Sequence, residues 1–163
     1  MAYPNDGEPK RWQILDRLRT MMLSIQEPDS FWSVKQATIF DSDWAILEDG
    51  PKPHIAIIPH ADRLQERGST TCGEARAFDV DLVGAIKVLA RDTDWSKKAH
   101  RLLADMQVAL AKSPQLNLPT EQPLVSCAAQ AEGQVHDRSD KELAFVTIRV
   151  RIDYRQNRLN PSL

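Results

Sequence analysis

The chain has 163 residues, 42% of them hydrophobic and 27% charged, which fits one globular domain with a buried core. Its formal net charge of −2 speaks against a protein whose main partner is nucleic acid, since such domains carry a large basic excess, although it leaves room for DNA passing nearby. Cys72 and Cys127 form no CxxC pair, and no run approaches the roughly 18 apolar residues of a membrane helix, so a soluble cytoplasmic product with reduced thiols and no membrane partner is expected.

Residues 1–9 read as a flexible lead-in. From Lys10 to Gln26, Ile14, Leu15, Leu18, Met21, Met22 and Ile25 recur at helical spacing, with Arg11, Arg17 and Arg19 away from the stripe and Pro28 ending the helix. Phe31 to Phe40 is predicted as a strand, followed by a turn-rich stretch through Asp49, Gly50 and Pro51. The apolar run between His54 and His60, fenced by Pro53 and Pro59, has the pattern of a central strand. Ala61 to Arg76 is polar and reads as a long loop or as a hairpin tip extending beyond the sheet. In Ala77 to Ala90, Phe78, Val80, Leu82, Ile86 and Val88 share strand parity, with Asp79 and Asp81 opposite. Leu82, Val83, Ile86, Leu89 and Ala90 also fit a helix, but the β-branched residues and Gly84 favour the strand.

A second helix is capped by Asp94 and opens at Trp95, with Ala99, Leu102, Leu103, Met106 and Leu110 as its buried stripe and Pro114 beyond its end. Leu124 to Gln134 and Phe145 to Tyr154 are predicted to pair as an antiparallel hairpin; Val146, Ile148, Val150, Ile152 and Tyr154 point one way, Thr147, Arg149, Arg151 and Asp153 the other. This order implies an α+β domain over residues 10–155, a mostly antiparallel β-sheet with two main helices packed on one face, and a tail over 156–163. The charged face of the last strand should meet water or a partner.

No GxSxG, GxxxxGK[ST], GxGxxG or HExxH motif occurs, and no catalytic residue, metal or cofactor is expected. His54 and His60 fall on one side of a strand but roughly 20 Å apart by strand rise, too far to share a metal, so both are read as strand-end packing residues. His100 and His136 are read as solvent residues. The pairs Asp41/Asp43 and Asp79/Asp81 raise an alternative, a small Mg²⁺-dependent nuclease using Asp79 and Asp81 with a third carboxylate such as Asp153. Against it, the same acids suit the solvated face of a sheet, paired with Arg149 or Arg151 opposite.

Charge is segregated along the chain. Glu27, Asp29, Asp41, Asp43, Glu48 and Asp49 face only Lys35, whereas Arg138, Lys141, Arg149, Arg151, Arg155 and Arg158 outnumber Asp140, Glu142 and Asp153. Unlike patches on one subunit suit head-to-tail association, and ordinary surface patterning suits the segregation equally. On the first reading Asp41, Asp43, Glu48 and Asp49 oppose Arg149, Arg151 and Arg155 across a subunit interface, with Phe31, Trp32 or Trp44 supplying apolar contact.

The opening helix RWQILDRLRTMML, the strand PHIAIIP, the helix DWSKKAHRLLADMQVAL and the closing strand LAFVTIRVRIDYR occur in an order that resembles the tail terminator and tail completion proteins of long-tailed bacteriophages. The resemblance is to an ordered pattern from Lys10 to Arg155. It implies a virion subunit in the tail or neck, assembled in the host cytoplasm, that forms a hexameric ring on the finished tail tube. Its partners would be further copies of itself, the tail tube protein and the head-tail connector or neck proteins, with DNA passing through the lumen without specific binding. It brings no catalytic residue or cofactor. Polar loops would line such a lumen, which makes Arg63, Arg67, Arg76, Arg138 and Lys141 the lumen candidates. The lead-in, the stretch Ala61 to Arg76 and the tail depart from shorter members, so a different neck protein or a monomeric assembly-factor module is a further alternative.

Overall fold

The computed structural model describes residues 8–40, 49–117, 122–136 and 142–159. Its elements run α1 (Lys10–Leu23), β1 (Gln36–Ile39), β2 (His54–Pro59), β3 (Arg63–Gln65), β4 (Gly73–Lys87), α2 (Trp95–Lys112), β5 (Cys127–Val135) and β6 (Leu143–Asn157). Among the described residues the strands form one sheet in the order β1-β2-β4-β6-β5, with β3 also pairing β4. Every pairing is antiparallel except β1 with β2. This is the expected α+β class.

Alternation builds the sheet. Along β6, Val146, Ile148, Val150, Ile152 and Tyr154 are buried, while Arg149 and Arg151 between them and Arg155 after them are exposed. Phe78, Val80 and Leu82 of β4 and Ile55 and Ile57 of β2 extend the same inner surface. The helices cover it: Ile14, Leu15, Leu18 and Met22 come from α1, and Ala99, Leu102, Leu103, Met106, Ala109 and Leu110 from α2. Gly84 is required by this packing, because a Cβ there would lie 2.8 Å from Leu102 Cδ2 and 3.0 Å from Val146 Cγ2.

Several boundaries differ from the sequence expectation. The first helix stops at Leu23, and Ile25 is buried without being helical. The strand expected from Phe31 shrinks to Gln36–Ile39. The buried Asp105 of α2 accounts for this, since its carboxylate accepts hydrogen bonds from the amides of Phe31 (3.0 Å) and Trp32 (2.9 Å) and takes them away from any ladder. Asp94 precedes α2 but makes no capping hydrogen bond; its carboxylate lies 3.7 Å from Lys98 instead. The stretch Ala61 to Arg76 is a hairpin arm made of β3 and the start of β4. β6 continues two residues past Arg155, so the tail begins later than expected. The outer sheet face is not charged throughout: at one end Ala56, Ile58, Val83 and Ala85 are buried with Phe40 and Phe145 packed against them.

Two substitutions probe the packing. Ile148→Ala should cost roughly 2–5 kcal/mol, as large-to-small changes in a dense core do. Gly84→Ala should cost about 1–3 kcal/mol because the helix must give way. Urea unfolding of both variants measures this, and a loss below about 0.5 kcal/mol at both positions would place the α2–sheet contact elsewhere.

Candidate functional site

Register decides what the charged residues can do. β4 and β6 pair so that Asp81 lies opposite Arg149 and Asp79 opposite Arg151, while β5 sets Glu132 opposite Arg149. Arg149 donates to both Asp81 oxygens, at 2.8 and 3.1 Å, and His60 approaches Asp81 Oδ2 at 2.8 Å. Burial opposes ionisation of Asp81, but the hydrogen bonds from Arg149 and His60 outweigh it and hold the carboxyl below its ordinary value. Arg151 lies 3.5 Å from Asp153, Gln65 donates to Asp153, and Arg63 lies 3.8 Å from Asp79. The outer face is therefore a ladder of alternating charges that largely neutralise one another within the subunit.

This arrangement places Asp79 and Asp81 in the solvated-face role. Asp81 is taken up by a guanidinium, and among the described residues no group of three His, Cys, Asp or Glu is arranged to hold a metal ion. His54 is buried and within 3.0 Å of Thr38 Oγ1, and burial, helped by Lys52, keeps its pKa low. His60 is half-exposed on Asp81. His100 is exposed as expected, but His136 is not a free solvent residue: its Nε2 lies 2.7 Å from Thr147 Oγ1 on the neighbouring strand.

At the opposite end of the long strands a second network ties the arm down. The Asp62 carboxylate accepts from Arg76 Nε at 2.7 Å and from the Tyr154 hydroxyl at 3.0 Å, with Arg11 at 3.8 Å. Arg11 in turn sits over the Phe78 ring, 4.7 Å from its centroid, so it is not on the solvent side of α1 as its position suggested. Arg76 also bonds Glu74 at 2.7 Å. The Arg76 hydrogen bond holds the Asp62 carboxyl below its usual value against the opposing effect of burial, and burial with the bond to Asp62 pushes the Tyr154 phenol up to about 12. Nothing in the sequence pattern singles out Asp62. Asp105 did carry a signal, because an acid inside the apolar stripe of α2 needs a partner.

The interface and lumen candidates scatter. Asp41, Asp43, Glu48, Trp44, Arg138 and Lys141 lie outside the described residues. Asp49 is exposed. Phe31 is exposed with Arg101 over its ring, whereas Trp32 is half-buried and donates its indole N–H to the Lys98 carbonyl. Arg63, Arg67 and Arg155 are exposed. Arg76, a lumen candidate at the end of a stretch read as a loop or a hairpin tip, is strand-bound in the hairpin arm and paired with two carboxylates. Cys72 and Cys127 are free and exposed.

No protein-family model and no curated protein matches the chain. Among solved structures it is similar to a chain of the virion of a native gene transfer agent (GTA) particle, at 10% identity and a TM-score of 0.38, over 87% of this chain and 89% of that one. Nothing about function follows from a likeness at that level.

The Asp62 and Asp81 shifts carry a pH signature. Both carboxyls titrate lower when folded, so their stabilisation is fully present above the unfolded carboxylate value near 4 and is lost as pH falls through the folded values. Asp62→Asn should lower unfolding free energy at pH 7 by about 1–3 kcal/mol and narrow the difference between pH 7 and pH 3. Denaturant titrations at both pH values check this, and an unchanged acid slope would remove Asp62 from its central place.

Proposed function

We propose that this protein is a structural virion subunit that assembles as a closed, hexameric ring on the end of a phage-type tail tube and presents the head-joining surface there. The observation that carries the reading is the order of elements: the helix, inner strands, leucine-paired helix and long closing strand of the tail terminator pattern all fold into one layered domain. The described residues leave a sheet edge open along β5, and a row of exposed charge crosses the outer face. A ring needs a heterologous interface, in which two different patches of one subunit meet and the rotation closes.

The charge balance of the outer face shapes that interface. Arg149 and Arg151 are already engaged by Asp81 and Asp153, so they set orientation more than affinity. Arg155 lies opposite Ala75 and is the cation of β6 left to meet an acid on a neighbour such as Asp49. The nuclease reading gains nothing from this geometry, because Asp81 would first have to release Arg149.

The test is arrest of tube growth. Added to polymerising tail tube protein, the purified chain should stop elongation at a few copies per tube end. Native mass measurement of the capped tubes should count six. Continued growth at saturating protein, or DNA cleavage that needs Mg²⁺ and is lost in Asp81→Ala, would contradict the reading.

A further inference from the structure

We infer that the outward face of α2 is a docking surface for a helix of a partner protein, one that presents apolar side chains flanked by carboxylates. Positions 97, 101, 104, 108 and 112 recur at intervals of four and three, so they form one stripe on the side of α2 turned away from its buried residues. Lys97, Arg101, Val108 and Lys112 are exposed there, and Ala104 is half-buried. The one acid in the helix, Asp105, is buried, so no carboxylate of α2 sits on this stripe. Among the described residues Lys97, Arg101 and Lys112 form no ion pair, whereas Lys98 on the flank is held by Asp92 at 3.2 Å and Asp94 at 3.7 Å.

A depression runs beside the stripe, with Ala104 and Val108 on the α2 side and Pro28, Asp29 and Phe31 on the other. That second wall is firmly mounted. The Asp105 carboxylate accepts from the amides of Phe31 at 3.0 Å and Trp32 at 2.9 Å, and the Trp32 indole donates to the Lys98 carbonyl at 3.1 Å. The backbone of this loop is thus fastened to α2, yet Phe31 stays 58% exposed and Val108 54% exposed. Arg101 lies over the Phe31 ring, 5.3 Å from its centroid, so cation and ring make one contact surface. Phe31, expected from the sequence at a subunit interface, therefore belongs to the helix side of the sheet, away from the ion pairs of the outer face.

The composition of the face selects the occupant. Aromatic and apolar groups at the centre, with cations towards both ends, are the anatomy of a protein interface. A polyphosphate would use the cations and gain nothing from Phe31 or Val108. The partner segment is a helix rather than a strand, because the backbone of α2 is satisfied internally and offers a strand nothing to pair with. The small Ala104 lets a second helix approach along the depression. From Lys97 to Lys112 the stripe is about 22 Å long by helix rise, room for about four turns of such a helix. Carboxylates on the partner meet Lys97, Arg101 and Lys112, while the exposed Glu27 and Asp29 on the loop side repel them, which fixes the partner's rotation about its own axis. The surface belongs to the single subunit and does not rest on the ring reading.

The experiment is an NMR titration of the isotope-labelled full chain with two synthetic amphipathic helical peptides. Both carry leucines on one face; the flanking positions are all glutamate in one and all lysine in the other. The glutamate peptide should shift the amide resonances of Phe31, Ala104 and Val108. At about 25 mM salt it should bind about tenfold more tightly than the lysine peptide, an advantage that shrinks towards about 200 mM as the charges are screened. Phe31→Ala and Val108→Glu should each weaken its binding about tenfold, as loss of a central anchor does. Arg101→Glu should remove the preference for glutamate, whereas Arg63→Ala on the arm should change nothing. Circular dichroism of each variant confirms that it is folded. No shift at the lower salt, equal or tighter binding of the lysine peptide, or shifts confined to the sheet would overturn the proposal. Two further results would also overturn it: displacement of the glutamate peptide by duplex DNA, which gives the face to nucleic acid, and self-association abolished by Val108→Glu, which gives it to a second copy.

Discussion

The pairing of β4 with β6 is the constraint from which the rest of this structure follows. It runs without a break from Gly73 opposite Asn157 to Lys87 opposite Leu143. A sheet alternates sides with period two, so this one register assigns every residue of both strands to the helix side or the outer side. It aligns Phe78, Val80 and Leu82 with Ile152, Val150 and Ile148 under the helices, and in the same stroke it brings Asp81 to Arg149 on the other side. A slip by one residue would expose the core and bury four unpaired charges. The ion pairs thus contribute less as net stabilisation, which is small for half-exposed pairs, than as a penalty against the wrong register.

The same register explains why charge along the chain is a poor guide to charge on the surface. Arginines concentrate near the C-terminus and look like a basic patch, but β6 is flanked by β4 and β5, whose Asp79, Asp81 and Glu132 arrive from elsewhere in the sequence. What survives cancellation lies where β6 outruns its neighbour: β5 begins at Cys127 opposite Asp153, so Arg155 has no acid beside it from that strand. Association, on this account, is governed by the ends of the long strands rather than by their middle.

Sequence periodicity revealed what local geometry controls. The stripes of α1 and α2, the alternation of β6 and the strand character around Gly84 all come from spacing within a few residues, and the structure carries each of them. The pairing of the β4 aspartates with the β6 arginines was also legible, since acids and bases on predicted partner strands have few other places to go. Long-range capture was not legible. Asp105 shortens β1 from across more than seventy positions, and Asp62 gathers Arg76, Tyr154 and Arg11 from three elements. Asp62 leaves no periodic trace, and the break that Asp105 makes in the apolar stripe of α2 shows that it needs a partner without showing which one. The arm was readable only as a choice between loop and hairpin, because its strands are held by the ladder of β4 rather than by apolar residues of their own.

The central claim is a closed ring of this subunit at a tube end, and electron microscopy of capped tail tubes tests it most directly. The account predicts six-fold averaged density in which every subunit contributes a different patch to each of its two neighbours, with the turn carrying Arg67 facing the central channel. Density for a single copy, for a two-fold pair, or for a ring with that turn on its outer rim would contradict it.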